Sequence, residues 1–401
     1  MKKHVQQLLS IAEKPVRRII GLMSGTSLDG LDVALCSFEG YGINTRVEVL
    51  KFETVAYDDH FKSEIRRVFA KKEIDFQHLT LLNILIAERH AAIVNECLAA
   101  WRFTAGDIDL LASHGQTVFH APRVFHGMPG YPNATLQIGD GDCLSLRTGI
   151  ITLSDFRQKH VAAGGEGAPL ALYGDYFLFS KKGENRFLLN IGGIANFTWL
   201  PGDGDATRSF ATDTGPGNTL IDTFAQELFG RPFDENAQFA LQGRVNERLL
   251  GLLKEEAFFT KPFPKTIGPE LFSSMWVKNA MQQAGLGDLT GYDLMATLTK
   301  LTADTIAEAM RKTVSGDTGA TPPVVYLSGG GSHNPLIVKY LSEMLQGWKI
   351  LPMQELGIHG DAKEAVLFAV LANETVAGES LSGSLLGGLP LVGMGKISFP
   401  G

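Results

Sequence analysis

Apolar runs separated by short polar stops organise most of this chain. Ile19, Ile20, Leu22 and Met23 halt at Ser24-Gly25-Thr26-Ser27, and Leu31, Val33 and Leu35 begin the next run. Runs of this kind, bounded by glycine and hydroxyl residues, predict strand, tight turn, strand. Strands are expected over about 17–23, 30–38 and 47–56, with helices over about 60–71 and 77–101. A buried strand over about 108–112 should stop at Ser113-His114-Gly115-Gln116-Thr117, and a short one over about 150–153 at Ser154-Asp155.

The order then recurs. Strands are expected over about 187–191, 195–200 and 209–212, the first stopping at Gly192-Gly193 and the third at Asp213-Thr214-Gly215-Pro216-Gly217-Asn218. Helices follow over about 217–228 and 292–314, the latter with Met295, Leu298, Thr302, Ile306 and Met310 on one face. A strand over about 324–327 runs into Ser328-Gly329-Gly330-Gly331-Ser332, and helix, strand and helix close the chain over about 334–345, 348–351 and 363–377. The fold class is therefore α/β, built from two βββαβαβ mixed-sheet halves facing each other across a cleft. The halves are taken as 1–184 and 185–401, joined near the polar stretch 181–185, with the option that the last helices pack back on the first half. Residues 118–148 and 230–290 read as insertions, rich in Gly, Pro and aromatic residues.

Composition narrows the function classes. The 401 residues are 44% hydrophobic and 20% charged, which is ordinary for a soluble globular protein. A net charge of −7 argues against general nucleic-acid binding, and no apolar run reaches bilayer length. Cys36, Cys97 and Cys143 are widely spaced and form no CxxC, which points to a reducing cytosol. His114, His120 and His126 fall at a spacing that matches no zinc pattern. His90 shares a helical stripe with Leu82, Ile86, Ile93 and Cys97 and reads as a core-edge histidine.

Candidate chemistry lies at the stops. The turn after the first strand can cradle phosphate oxygens with main-chain N–H groups, or it can be an ordinary hairpin turn. It is neither a Walker loop nor a dinucleotide fingerprint. Asp213 can act as a general base or cation ligand, or it can cap the helix that follows, whose N-terminal amides favour an anion. The triple glycine at 329–331 fits close approach of a nucleotide, or a flexible turn. The polar stretch 154–170 gathers Asp155, Arg157, Lys159, His160 and Glu166, a set suited to a polar substrate or to a solvated loop. Glu364 opens the last long helix, where it can complement the dipole or bind Mg²⁺ and substrate.

Nine segments taken together resemble one family: GLMSGTSLDGLD (21–32), SHGQT (113–117), LQIGDG (136–141), SDFR (154–157), GGEGAPL (164–170), LNIGGIANF (189–197), DTGPGN (213–218), PKTIG (264–268) and SGGGSHNPL (328–336). They resemble the anhydro-N-acetylmuramic acid kinases of bacterial cell-wall recycling, within the sugar-kinase, actin and heat-shock-chaperone superfamily. The resemblance implies duplicated ribonuclease-H-like domains, ATP with Mg²⁺, and a 1,6-anhydrosugar opened by water as O6 is phosphorylated. It places the catalytic base at Asp213. Gly25, Thr26, Ser27, Leu28, Asp29, Gly30, Leu31 and Asp32 match the phosphate loop, Gly192 and Gly193 the opposing turn, and Gly329, Gly330 and Gly331 the adenosine side. His114, Gln116, Arg157, Glu166 and Glu364 are the expected substrate residues, with Glu364 also a metal ligand. Two positions depart from the family pattern, which has Asp at His160 and Gln at Glu166. Residues 1–16 precede the family's usual start. A cytoplasmic homodimer is expected, with no nucleic-acid or membrane partner. Two alternatives are a kinase for another anhydrosugar such as levoglucosan and a non-catalytic nucleotide-binding switch.

Overall fold

The run from Val16 to Ser24 is buried at seven of its nine positions, so it needs neighbours on both edges and cover on both faces. A computed structural model supplies them; it describes residues 2–268, 270–315, 321–358, 360–379 and 385–401. The chain divides into one unit of residues 1–180 with 357–401 and a second of residues 181–356.

The first unit opens with α1 (Lys2–Glu13), β1 (Val16–Ser24), β2 (Gly30–Glu39), β3 (Arg46–Ala56), α2 (Asp59–Arg66) and α3 (Phe76–Trp101). Then come β4 (Leu110–Ala121), α4 (Arg123–His126), β5 (Ala134–Ile138), α5 (Gly141–Thr148), β6 (Thr152–Ser154), α6 (Phe156–Ala162) and α7 (Ala171–Phe179). Asp58 and Asp75 cap α2 and α3 by accepting the N–H groups of Phe61 and His78.

The second unit holds β7 (Arg186–Ile191), β8 (Ile194–Leu200), β9 (Phe210–Pro216), α8 (Thr219–Phe229), α9 (Glu247–Lys254), α10 (Ala257–Thr260) and α11 (Ser274–Gln283). It ends with α12 (Gly291–Val314), β10 (Val324–Ser328), α13 (Pro335–Met344) and β11 (Lys349–Pro352). The chain then completes the first unit with α14 (Lys363–Ala377), β12 (Leu385–Leu386), β13 (Leu389–Pro390) and β14 (Lys396–Ser398).

Each unit is built on one mixed sheet. The first has the order β14-β6-β4-β1-β2-β3, with β5 pairing β4; β1, β2 and β3 are antiparallel neighbours, while β4 is parallel to β1 and β6 to β4. The second has the order β11-β10-β7-β8-β9, again with an antiparallel hairpin and third strand beside two parallel strands. In the first unit α14 lies directly on β1, because Gly21 brings no side chain: a Cβ there would sit 1.9 Å from the Ala365 carbonyl oxygen. Ile20, Leu22, Ile86, Val94 and Leu111 form the core on the α3 side of that sheet. Phe187, Phe197, Phe224, Leu298 and Ile306 do the same in the second unit.

Several elements depart from the sequence reading. β4 does not stop at Ser113 but runs to Ala121, because its polar residues past Gly115 find partners on β5. β9 likewise runs through Asp213 to Pro216 instead of ending at Thr212. The helix expected over about 60–71 ends at Arg66. The stretch 118–148 is less an insertion than part of the sheet unit, contributing β5 and α5. Residues 230–290 carry α9, α10 and α11. Among the described residues, no helix is long and apolar enough to cross a membrane.

Candidate functional site

In the first unit the turn between β1 and β2 divides into an outward half and an inward half. Thr26, Ser27 and Asp29 are exposed and Gly25 is half-buried, whereas Leu28 takes a left-handed φ of 62° and drops its side chain into the core. Gly30 is glycine for packing, since a Cβ would lie 2.4 Å from the Val55 carbonyl oxygen. Leu31 is fully buried. Leu28, Gly30 and Leu31 can therefore meet a ligand only through the main chain. Asp32 is half-buried and accepts a 2.6 Å hydrogen bond from Thr54. Burial pushes its carboxyl pKa up, offset by that bond, and nearby Asp361 and Asp29 push it up further.

Three of the expected substrate residues come together at the end of this sheet nearest the turn. Arg157 Nε donates to His114 Nε2 at 2.9 Å, and Arg157 Nη1 to the Gly167 carbonyl at 2.7 Å. Since Nε2 accepts, His114 is the neutral Nδ1–H tautomer. Burial, helped by Arg157, lowers its pKa to about 3. Arg157 and Glu364 share the wall of a hollow of about 290 Å³ with Leu170, Leu178 and Phe368. Lys363 and Asp175 line the same hollow, paired at 2.7 Å. Sequence reasoning missed Asp175; its signal is a single carboxylate inside the apolar run 171–179.

Other expected residues sit elsewhere. Gln116 is wholly buried, and its amide is engaged with Ser24 and with the carbonyls of Gly25 and Thr117, so it braces the turn and presents nothing to a substrate. His160 is also wholly buried: its Nδ1 accepts the Gly167 N–H at 2.9 Å, holding the loop that carries half-buried Glu166. Asp155 pairs with Lys396 at 3.0 Å, and Lys159 lines a separate hollow. The polar stretch is thus mainly a folded scaffold, with Arg157 and Glu166 as its candidates for ligand contact.

In the second unit Asp213 is not a helix cap. It lies within β9, while Asn218 holds the N-cap position of α8. Segment 264–267 is clipped beside it. Asp213 N–H donates to the Lys265 carbonyl at 2.9 Å, Ile267 N–H donates to Asp213 Oδ2 at 2.8 Å, and Lys265 N–H donates to Thr212 Oγ1 at 3.0 Å. The Lys265 ammonium anchors this segment by donating to the carbonyls of Phe258 and Phe259 while lying 4.4 Å from the Phe258 ring centroid. Burial raises the Asp213 pKa, partly countered by the Ile267 bond.

Three of the amides leading into α8, those of Gly217, Asn218 and Thr219, are already engaged by main-chain carbonyls. Gly217 and Asn218 donate to the Gly193 and Gly192 carbonyls at 2.8 Å each, and Thr219 donates to Gly193 at 3.2 Å. Of the triple glycine, Gly329 (φ 80°) and Gly331 are required by packing, since a Cβ on either would clash with Ile191. Gly330 alone of the three lines a hollow of about 470 Å³, with Asn218, Asp222, Phe233, Glu235 and His333. Phe233 and Glu235 come from the presumed insertion, which hid them from sequence reading. Among the described residues, no three His, Cys, Asp or Glu gather as a metal site.

The family model described as "Anhydro-N-acetylmuramic acid kinase" matches residues 17–388. A protein of that name from Pseudoalteromonas atlantica is 50% identical over 403 residues, covering 100% of both chains. Another from Caldanaerobacter subterraneus subsp. tengcongensis is 40% identical, covering 93% of this chain and 94% of its own. The ROK hexokinase of Thermus thermophilus superposes only loosely, with TM-score 0.36 and 14% identity over 88% of this chain and 97% of that one. On the family match and these full-length relatives, the chain belongs to the anhydro-N-acetylmuramic acid kinase family.

Proposed function

We propose that this protein is an ATP-dependent kinase that opens 1,6-anhydro-N-acetylmuramic acid with water and phosphorylates O6, giving N-acetylmuramic acid 6-phosphate and ADP. The observation that carries this reading, beside family membership, is the setting of Asp213. Its half-buried, proton-affine carboxylate is held by the Ile267 N–H and does no helix capping. Water attacks the anomeric carbon as the bond from that carbon to O6 breaks. O6 takes the γ-phosphoryl group as its bond to the β-phosphate oxygen breaks, and the water proton passes to Asp213.

Other residues take supporting roles. The amides at the exposed positions Thr26, Ser27 and Asp29 of the turn bind phosphate oxygens, with Gly192 and Gly193 as a second turn whose carbonyls are already committed to the entry of α8. The hollow beside Gly330 takes the adenosine; its volume suits a nucleoside, Phe233 offers an aromatic face and Asp222 and Glu235 suit ribose hydroxyls. His114, Arg157, Glu166 and Glu364 bind the sugar. Mg²⁺ keeps most of its water and takes one or two carboxylates plus phosphates, so no three-carboxylate cage is needed. Asp32, crowded by Asp29 and Asp361, and Glu364 offer suitable hard oxygen donors, and the ion would neutralise charge on the transferring phosphoryl group.

The shared five-strand order, β6-β4-β1-β2-β3 in the first sheet and β11-β10-β7-β8-β9 in the second, supports two copies of a ribonuclease-H-like fold. Exposed Phe76, Leu81, Ile84 and Leu85 on α3 support a homodimer, and three free cysteines support a cytoplasmic setting. The test is incubation with ATP, Mg²⁺ and a sugar panel. The muramic anhydrosugar should be phosphorylated in strong preference to levoglucosan and to ring-opened sugars; turnover of levoglucosan alone, or of no sugar, would refute the assignment.

A further inference from the structure

Beneath the turn at residues 24–30 lies a buried polar chain whose donor directions can be worked out link by link. The Gln116 Nε2 group faces two carbonyls, Thr117 at 3.3 Å and Gly25 at 3.4 Å, so this side of the amide must be the donor. Its Oε1 then faces Ser24 Oγ at 2.6 Å, and Ser24 must spend its only proton there. Tyr57 OH, 2.9 Å from Ser24 Oγ, must in turn donate to Ser24. The His90 Nε2 atom, 2.8 Å from Tyr57 OH, is left to donate to Tyr57. This fixes His90 as the neutral Nε2–H tautomer, which leaves Nδ1 bare. That atom is indeed buried without a partner. Four side chains on four elements or their flanks thus point their donors one way, from His90 to the Gly25 carbonyl.

The end of the chain has a consequence for the turn. In a trans peptide the C=O and the following N–H point in opposite directions. Drawing the Gly25 carbonyl inward, where Leu28 N–H also reaches it at 3.4 Å, turns the Thr26 N–H outward at an exposed position. We propose that His90, Tyr57, Ser24 and Gln116 are positioning residues for nucleotide binding, orienting the Gly25–Thr26 peptide so that its amide faces an incoming phosphate. This rests on the reading of residues 25–32 as the phosphate loop. The burial that holds His90 neutral, with its pKa lowered to about 3, keeps the donor direction unchanged across working pH.

Calorimetric titration of the full-length protein with Mg·ATP, without sugar, tests the proposal. Tyr57→Phe removes the central hydroxyl and should weaken ATP binding roughly tenfold, as loss of a buried hydrogen bond implies. His90→Leu should do the same, and His90→Gln, which keeps an amide donor, should return the affinity to within about twofold. A role in packing alone predicts the reverse order, with Leu tolerated and Gln harmful. Ser24→Ala provides the same comparison if a His90 variant fails to fold. Gly25→Val is the control for the loop itself. If Gly25→Val weakens ATP while the Tyr57, His90 and Ser24 variants bind normally, the positioning role is overturned and the loop stands. If Gly25→Val also binds normally, the phosphate-loop reading fails and the proposal falls with it.

Discussion

At the scale of single residues, the claim that matters most is that Asp213 works as a base. Among the described residues, the donor to its carboxylate is the main-chain N–H of Ile267, which fixes Oδ2. Burial makes the carboxylate more willing to take a proton, the direction a base needs if it is to act near neutral pH. Asp213→Asn keeps an oxygen for the Ile267 N–H but cannot accept the water proton. It should lower kcat by about 10²–10⁴ while the melting temperature shifts by only a few degrees. Near-normal kcat in a well-folded variant would move the base elsewhere. Asp213 was visible in the sequence as a candidate because DTGPGN is a compact signal. The His90–Tyr57 pair was not, since the two are 33 residues apart and only the fold joins them. Nor could sequence separate Gly330 from Gly329 and Gly331, because all three look alike until the Ile191 side chain and backbone are in place.

At the scale of elements, hydrophobic runs located most strands and the longest helices but not α1, α4 to α7 or α9 to α11, and strand ends were misplaced where polar residues are satisfied inside a sheet. SHGQT and DTGP read as loops by composition, yet β4 and β9 continue through them because β5 and β8 supply pairing partners, with segment 264–267 clipped beside Asp213. The same polar interior sets a pH dependence. His90 on α3, His114 on β4 and His160 on α6 are buried, with pKa lowered to about 3, 3 and 4 by desolvation, aided by Arg157 for the last two. Their unfolded value is 6.5, so the unfolded chain binds more protons throughout the interval between. Stability of the first unit is then fully present above pH 6.5 and is lost as pH falls toward those folded values, by about 1.4 kcal/mol per pH unit for each histidine. Thermal scans at pH 7 and 5 should show the first unit's transition falling, and His90→Gln should reduce the drop. A transition that is flat over this range would contradict the neutral, buried assignment.

At the scale of the whole molecule, residues outside the family match are structural parts of the first unit. His4 on α1 stacks on Phe399 at 5.9 Å, and β14 extends the sheet beside β6. Residues 1–16 gave no clue to this in the sequence, because their partners lie near the other end of the chain. The proposed reaction couples hydrolysis of the anhydro bridge to phosphoryl transfer to O6. The most direct measurement is reaction of the muramic anhydrosugar with ATP and Mg²⁺ in ¹⁸O-water, read by mass spectrometry. The account predicts a 6-phosphate product carrying one solvent oxygen at the anomeric carbon and ADP without label. A phosphorylated product lacking that oxygen, or label appearing on released phosphate without sugar product, would contradict it.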